Sequence, residues 1–295
     1  MIRKGIDIFS FDQDLTILDC MKTAKRAGFE GIELAVSLEG ELNMDTPDAK
    51  LHRIKSDSQE IGIEINGVVS GLYFQYSITS NQPHIRKKAE DLIKRQVYVA
   101  SKLGVDNVLV CAGAVGVDFQ PAEVVPDAKK IEFFVGSEII DYDVCYERAV
   151  ASFKELSKYA EEMNVCIAVE NIWNKFLLSP LEMRMFIDDI ASPMVASYFD
   201  VGNCMAYGYP DHWIKILNKR IKMVHFKDYR RSAGGLAGFV DLLAGDVDWP
   251  RVMAALEHIG YEGWVTAEMC PFYRHYSDQI IFNTSAAMDR IIGKA

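Results

Sequence analysis

The 295-residue chain predicts an α/β fold, a single (β/α)8 TIM barrel with residues 1–295 in one domain. Three observations carry that expectation. Short apolar runs alternate with amphipathic segments along the whole chain, and the amphipathic segments stop at Gly or Asn. The last four apolar runs each end in a carboxylate or an imidazole. Alternating strands and helices imply a parallel sheet, and eight such units fit the ~250 residues or more of a closed barrel. An open doubly wound sheet fits less well, because no G-x-G-x-x-G turn follows the first strand.

The strands are expected at residues 5–9, 31–35, 63–69, 107–111, 165–170, 195–200, 221–225 and 264–268. Gly28, Gly62, Gly104, Asn164 and Gly260 stop the preceding helices, since Gly or Asn just past a helix supplies the left-handed cap. Two stretches break the period. Residues 113–141 are too long for an ordinary strand-to-helix connection and predict a lid, or an oligomer contact around Phe133 and Phe134. Residues 227–248 hold Arg230, Arg231, Ser232, Gly234, Gly235 and Gly238, in the region where barrels often bind phosphate.

Composition narrows the class. A 49% hydrophobic fraction is globular, and no apolar stretch approaches the ~20 residues of a membrane span. The N-terminus enters a strand without a secretory apolar core, which predicts a soluble cytoplasmic protein with no membrane partner. Cys20, Cys111, Cys145, Cys166, Cys204 and Cys270 show no C-x-x-C spacing, so they read as reduced packing residues. A net charge of -10 repels a phosphate backbone and argues against a nucleic-acid partner.

The candidate site is the set of strand-end residues Glu170, Asp200, His225 and Glu268. A buried carboxylate is costly unless it is paired or bound to a metal. The competing reading pairs each one separately, with Lys222, Lys227 or Arg231. One imidazole with three carboxylates is a hard donor set that suits a divalent metal such as Mn, Mg or Co, with Zn as a further option. Such a centre can acidify the carbon between a carbonyl and a hydroxyl and stabilise the resulting enediolate. Glu170 and Glu268 are the candidate catalytic bases, one on each side of the substrate plane.

Neighbours have secondary roles. Lys227 either polarises a substrate oxygen or neutralises the carboxylates, and Asn171 and Asn203 either orient the site or cap turns. Glu33, at the second strand end, is a pocket group or a structural ion pair. Trp173, Phe176, Trp213, Trp249 and Phe272 are walls for a sugar or core residues, and His212 and His275 read as surface or cap histidines.

The segments Val169-Glu-Asn171, Phe199-Asp-Val-Gly-Asn203, Val224-His-Phe-Lys-Asp228, Gly245-Asp-Val-Asp-Trp249 and Thr266-Ala-Glu268 resemble the sugar phosphate isomerase/epimerase superfamily, the xylose-isomerase-like barrels. The resemblance is strong in the second half and architectural in the first. Within that superfamily the chain looks most like the ketose 3-epimerases. This implies Glu170, Asp200, His225 and Glu268 as metal ligands, and Glu170 and Glu268 as the proton-transfer pair. Phe176 and Asn203 stand where free-ketose members carry Glu and His, whereas Arg231 matches their substrate-binding arginine. The Phe and Asp-Val-Gly-Asn pattern is similar to the L-xylulose 5-phosphate and L-ribulose 5-phosphate 3-epimerase branch.

The expected function is C3 epimerisation of a ketose or ketose phosphate, with Arg231, Asn203, Lys227 and Asn171 as substrate contacts. The partner is then a small-molecule sugar or sugar phosphate, with a homo-oligomer left open. An aldose–ketose isomerase and an inosose- or dehydroshikimate-type dehydratase are the alternatives on the same barrel. An apurinic-site endonuclease would need more histidines and a basic face. A sugar-binding barrel without activity would not need all four ligands.

Overall fold

The computed structural model describes residues 1–124, 131–269, 273 and 275–294. Cys270 and Phe272 lie outside the described residues. Eight parallel strands close a barrel: β1 (Ile2–Asp7), β2 (Gly31–Ala35), β3 (Glu64–Val69), β4 (Asn107–Cys111), β5 (Cys166–Glu170), β6 (Val195–Asp200), β7 (Ile221–Phe226) and β10 (Gly263–Ala267). Pairing of β1 with β10 closes the ring, with Ile6 opposite Ala267. Between β7 and β10 the chain adds an antiparallel pair, β8 (Asp228–Tyr229) and β9 (Phe239–Val240).

The helices that cover the barrel are α1 (Ile17–Ala27), α2 (Asp48–Ile61), α3 (Pro83–Leu103), α5 (Tyr142–Met163), α6 (Pro180–Ile190), α7 (Pro210–Leu217), α8 (Trp249–His258) and α9 (Gln279–Ile292). A single turn, α4 (Pro121–Val124), lies in the insertion after β4. The first helix shows why these segments form where they do. Thr16 caps α1 by accepting from the Asp19 N–H, and Ile17, Cys20, Met21 and Ala24 recur every three or four residues on its buried face. Such a cap is worth about 1 kcal/mol, and each large buried aliphatic adds roughly 1.5–3 kcal/mol. Gly28 and the four other expected stop residues all adopt the left-handed conformation. None of the described helices is long and apolar enough to cross a membrane.

The first strand differs from expectation. It runs Ile2–Asp7 rather than 5–9, because the Asp7 side chain accepts the Phe9 N–H and turns the chain into a short 3-10 segment. The insertion differs in its role. Phe133 and Phe134 are each only 5% exposed, packed with Ile85 and Ala114 in a satellite core, so the expected oligomer contact does not rest on them. Apolar side chains inside the barrel, among them Val69, Leu109, Ala168, Tyr198 and Met223, form a floor below the strand ends.

Candidate metal centre

Four adjacent strands, in the order β10, β7, β6 and β5, supply the site. Glu170 closes β5, Asp200 closes β6, His225 is the penultimate residue of β7, and Glu268 directly follows β10. Parallel register brings them to one level, with Asp200 opposite His225 and Thr266 also opposite His225. His225 Nδ1 stands 3.6 Å from Glu170 Oε1, 3.7 Å from Asp200 Oδ2 and 3.4 Å from Glu268 Oε2. One ligand atom from each of the four lies within 4.8 Å of all the others. That spacing suits donors gathered around one cation at roughly 2.0–2.2 Å.

Unmatched polar atoms support the same fit. Asp200 Oδ2 and His225 Nδ1 are buried and have no hydrogen-bond partner among the described residues. Buried polar atoms are almost always hydrogen-bonded, so an Asp200 oxygen and an imidazole nitrogen left without such a bond beside Glu170 and Glu268 mark a place for a cation. Lys227 supplies part of the positive charge: its Nζ lies 2.5 Å from Glu268 Oε2 and 3.4 Å from Asp200 Oδ2. The separate-pairing reading thus holds for Lys227 alone. Lys222 instead pairs with Asp106, and the Arg231 guanidinium donates to backbone carbonyls.

The electrostatics are asymmetric. Burial pushes the Glu170 carboxyl up to about 7, against the attraction of His225 and Lys227. Burial also raises Asp200, although Lys227 and His225 oppose it. Burial acts to raise Glu268 as well, but there Lys227 and His225 outweigh it and hold the carboxyl below the usual range. For His225, burial opposes the charged ring, yet Glu33 and the ligand carboxylates win and raise its value well above 6.5.

Two amides brace the ligands. Asn171 donates from Nδ2 to the Asp200 carbonyl and accepts the Asp200 N–H at Oδ1, tying β5 to β6. Asn203 gives its backbone N–H to Asp200 Oδ1 at 2.6 Å and its Nδ2 to Glu170 Oε1 at 3.2 Å. On the other side of His225, Nε2 lies 2.9 Å from Glu33 Oε2, and the Tyr198 hydroxyl donates to Glu33 Oε1. The sequence places Glu33 at the end of the second strand and leaves its role open; in the structure it is the middle residue of β2, because Leu34 and Ala35 continue the pairing with β3.

The β8–β9 hairpin organises the residue 227–248 loop. Buried Asp228 accepts from the N–H groups of Tyr229, Leu243 and Val247 and from Trp249 Nε1. Gly245 allows this close approach, since a Cβ there would sit 2.1 Å from Asp228 Oδ1. Arg230 donates to the Ala244 carbonyl, and Arg231 to the Met205 and Gly208 carbonyls while lying over Tyr209. Both arginines sit at the exposed rim. Among the aromatic candidates, Phe176 packs with Tyr142, Tyr146 and Phe186 in the core, and Trp213 stacks on Phe199. Trp249 packs on Phe226. Trp173 stays partly exposed, stacks on Phe239 and donates from Nε1 to the Asn203 carbonyl. Lys227 Nζ lies 5.2 Å from the centre of that same Phe239 ring.

Residues 21–282 match the family model described as a xylose isomerase-like TIM barrel, and the chain belongs to that family. One relative, named "Putative L-ribulose-5-phosphate 3-epimerase SgbU", from Escherichia coli (strain K12), is 23% identical over 280 residues, covering 90% of this chain and 87% of its own. Among solved structures, the D-psicose 3-epimerase of Clostridium cellulolyticum H10 with D-tagatose superposes with a TM-score of 0.78 at 18% identity, covering 98% of each chain. The zinc-bound IOLI protein also gives 0.78, at 15% identity, covering 99% of this chain and 98% of its own. At that identity the structural likeness concerns the fold.

Proposed function

We propose that this chain is a divalent-metal-dependent epimerase that inverts C3 of a ketose or ketose phosphate. One observation carries the reading: Glu170 and Glu268 come from the two outer strands of the four-strand arc and flank the donors of Asp200 and His225. Glu170, Asp200, His225 and Glu268 would hold a divalent cation, whose positive charge would acidify the C3 hydrogen and stabilise the enediolate. Glu268, kept ionised by Lys227 and His225 despite its burial, takes the C3 proton at its carboxylate. Glu170, on the opposite flank of the arc, is the carboxyl placed to return a proton to the other face. Lys227 holds its ammonium beside Glu268, where it can also donate to a substrate oxygen. Trp173 and Phe239 offer an apolar wall for the C–H face of a sugar.

The relative's printed name supports a phosphorylated ketose. The engagement of Arg230 and Arg231 with backbone carbonyls supports a free one. The Mn²⁺-loaded protein should therefore be incubated in D₂O with D-psicose, D-tagatose and L-ribulose 5-phosphate. Deuterium at C3 of the substrate and its epimer is the expected result. Incorporation only at C1 would move the reading to an aldose–ketose isomerase. Glu170→Gln and Glu268→Gln should each lower kcat by about 10²–10⁴-fold, the usual contribution of a positioned acid or base.

A further inference from the structure

We infer that Glu33 is a positioning residue for His225, fixing which ring nitrogen faces the metal centre, and that Gly67 is the position that gives it room. The inference rests on the metal-binding part of the proposed function and not on the identity of the sugar.

Glu33 is fully buried on β2, across the barrel from the arc that carries the four ligands. Its Oε2 lies 2.9 Å from His225 Nε2, while Nδ1 faces Glu170, Asp200 and Glu268; a proton held on Nε2 by Glu33 would leave Nδ1 as the nitrogen that binds a cation. A carboxylate on the far nitrogen of a metal-binding histidine sets ring orientation and tautomer. Tyr198 holds Glu33 in turn through its hydroxyl, and its ring packs against His225 with centroids 4.5 Å apart. The pair is therefore fixed by hydrogen bonding on one edge and by packing on one face.

The backbone is cut to fit this pair. A Cβ on Gly67 would lie 2.7 Å from Glu33 Oε1 and 3.0 Å from its Cγ, closer than real side chains approach. Gly67 lies in β3, where the pairing with β2 shifts register between Ile32 and Glu33. A side chain at position 67 would thus press first on Glu33, and through it on His225. Asp7, which with Glu33 and His225 makes a second acidic cluster, has a buried oxygen without a hydrogen-bond partner among the described residues. A cation on that side would have to take the nitrogen that Glu33 already holds, so Glu33 is assigned to orientation.

Mn²⁺ binding to the full chain is the direct test, followed by calorimetry and by electron paramagnetic resonance of free Mn²⁺. Glu33→Gln, which keeps shape, should weaken Mn²⁺ about 10–100-fold, as loss of a partner behind a ligand does. Gly67→Ala should weaken it in the same direction, and Tyr198→Phe by less. Thermal unfolding in EDTA separates this from simple misfolding: Glu33→Gln should melt within a few degrees of the parent while losing most of the rise that Mn²⁺ gives the parent. If the parent binds Mn²⁺ and Glu33→Gln binds it within twofold, the inference falls while the metal reading stands. Two Mn²⁺ per parent chain, dropping to one in Asp7→Asn, would overturn it in favour of a second cation. A parent that binds no divalent ion overturns both.

Discussion

Replacing Glu170 by Gln should remove one proton from the pH dependence of metal binding. Burial pushes this carboxyl from 4.5 up to about 7, with His225 and Lys227 pulling the other way. At about 1.4 kcal/mol per unit the shift corresponds to roughly 3 kcal/mol between the two protonation states. A cation needs the ionised carboxylate, so loading must expel that proton and is opposed below neutrality. The stability sign follows from the raised value. In the metal-free chain the contribution of Glu170 is full below its unfolded value of 4.5 and is lost as pH rises towards about 7. His225 is also raised, in part by Glu170 itself, so the difference between parent and variant reads Glu170 together with its pull on His225. Calorimetry of Mn²⁺ binding from pH 5 to 8, in two buffers of different ionisation enthalpy, counts the protons released. Parent affinity should climb at least ~tenfold per unit below neutrality, and Glu170→Gln should bind more weakly at pH 8 with a slope lower by one proton. Equal slopes and equal proton counts in the two proteins would refute the assignment of Glu170 as a buried, protonated ligand.

Three further outcomes follow from the same geometry. Lys227→Met removes the largest charge holding Glu268 down, so the acid limb of the kcat/KM profile should move to higher pH; an unmoved limb would show that Lys227 does not govern Glu268. Gly245→Ala places a Cβ 2.1 Å from Asp228 Oδ1 and disturbs a carboxylate that accepts four hydrogen bonds, which should cost about 2–4 kcal/mol by urea unfolding. Chelation with EDTA should lower the melting temperature, and Mn²⁺ at a hundredfold over its Kd should restore about 2.7 kcal/mol. No melting difference between the EDTA-treated and Mn²⁺-treated chain would count against a bound cation.

Much of the architecture was legible because barrel strands are buried on both faces and must be apolar, while left-handed helix stops favour Gly or Asn. The five predicted stops are all left-handed in the structure. The first strand ends earlier than expected because Ile8 and Phe9 look like strand residues in one dimension, whereas the Asp7 side chain caps the 3-10 turn they form. An apolar pair in a long insertion, Phe133 and Phe134, suggests a contact in one dimension, and within the chain Ile85 on α3 and Ala114 after β4 pack against it. The sequence shows two arginines in the hairpin loop but not what they bond to within the chain. Their partners are carbonyls of Ala244, Met205 and Gly208, and only folding brings the latter two to Arg231.

The sequence by itself determined that four strand ends carry three carboxylates and an imidazole, since a polar side chain ending a buried strand stands out against its apolar neighbours. Tertiary structure decided what lies behind them. Glu33 is 192 residues from His225, and Tyr198 is 165 from Glu33, so nothing local links them. Barrel closure and the register of β2 and β3 bring them together, and Gly67 leaves the space they fill. A metal ligand is chosen by its chemical type and can be read from the chain, but the direction in which it points is set by long-range packing.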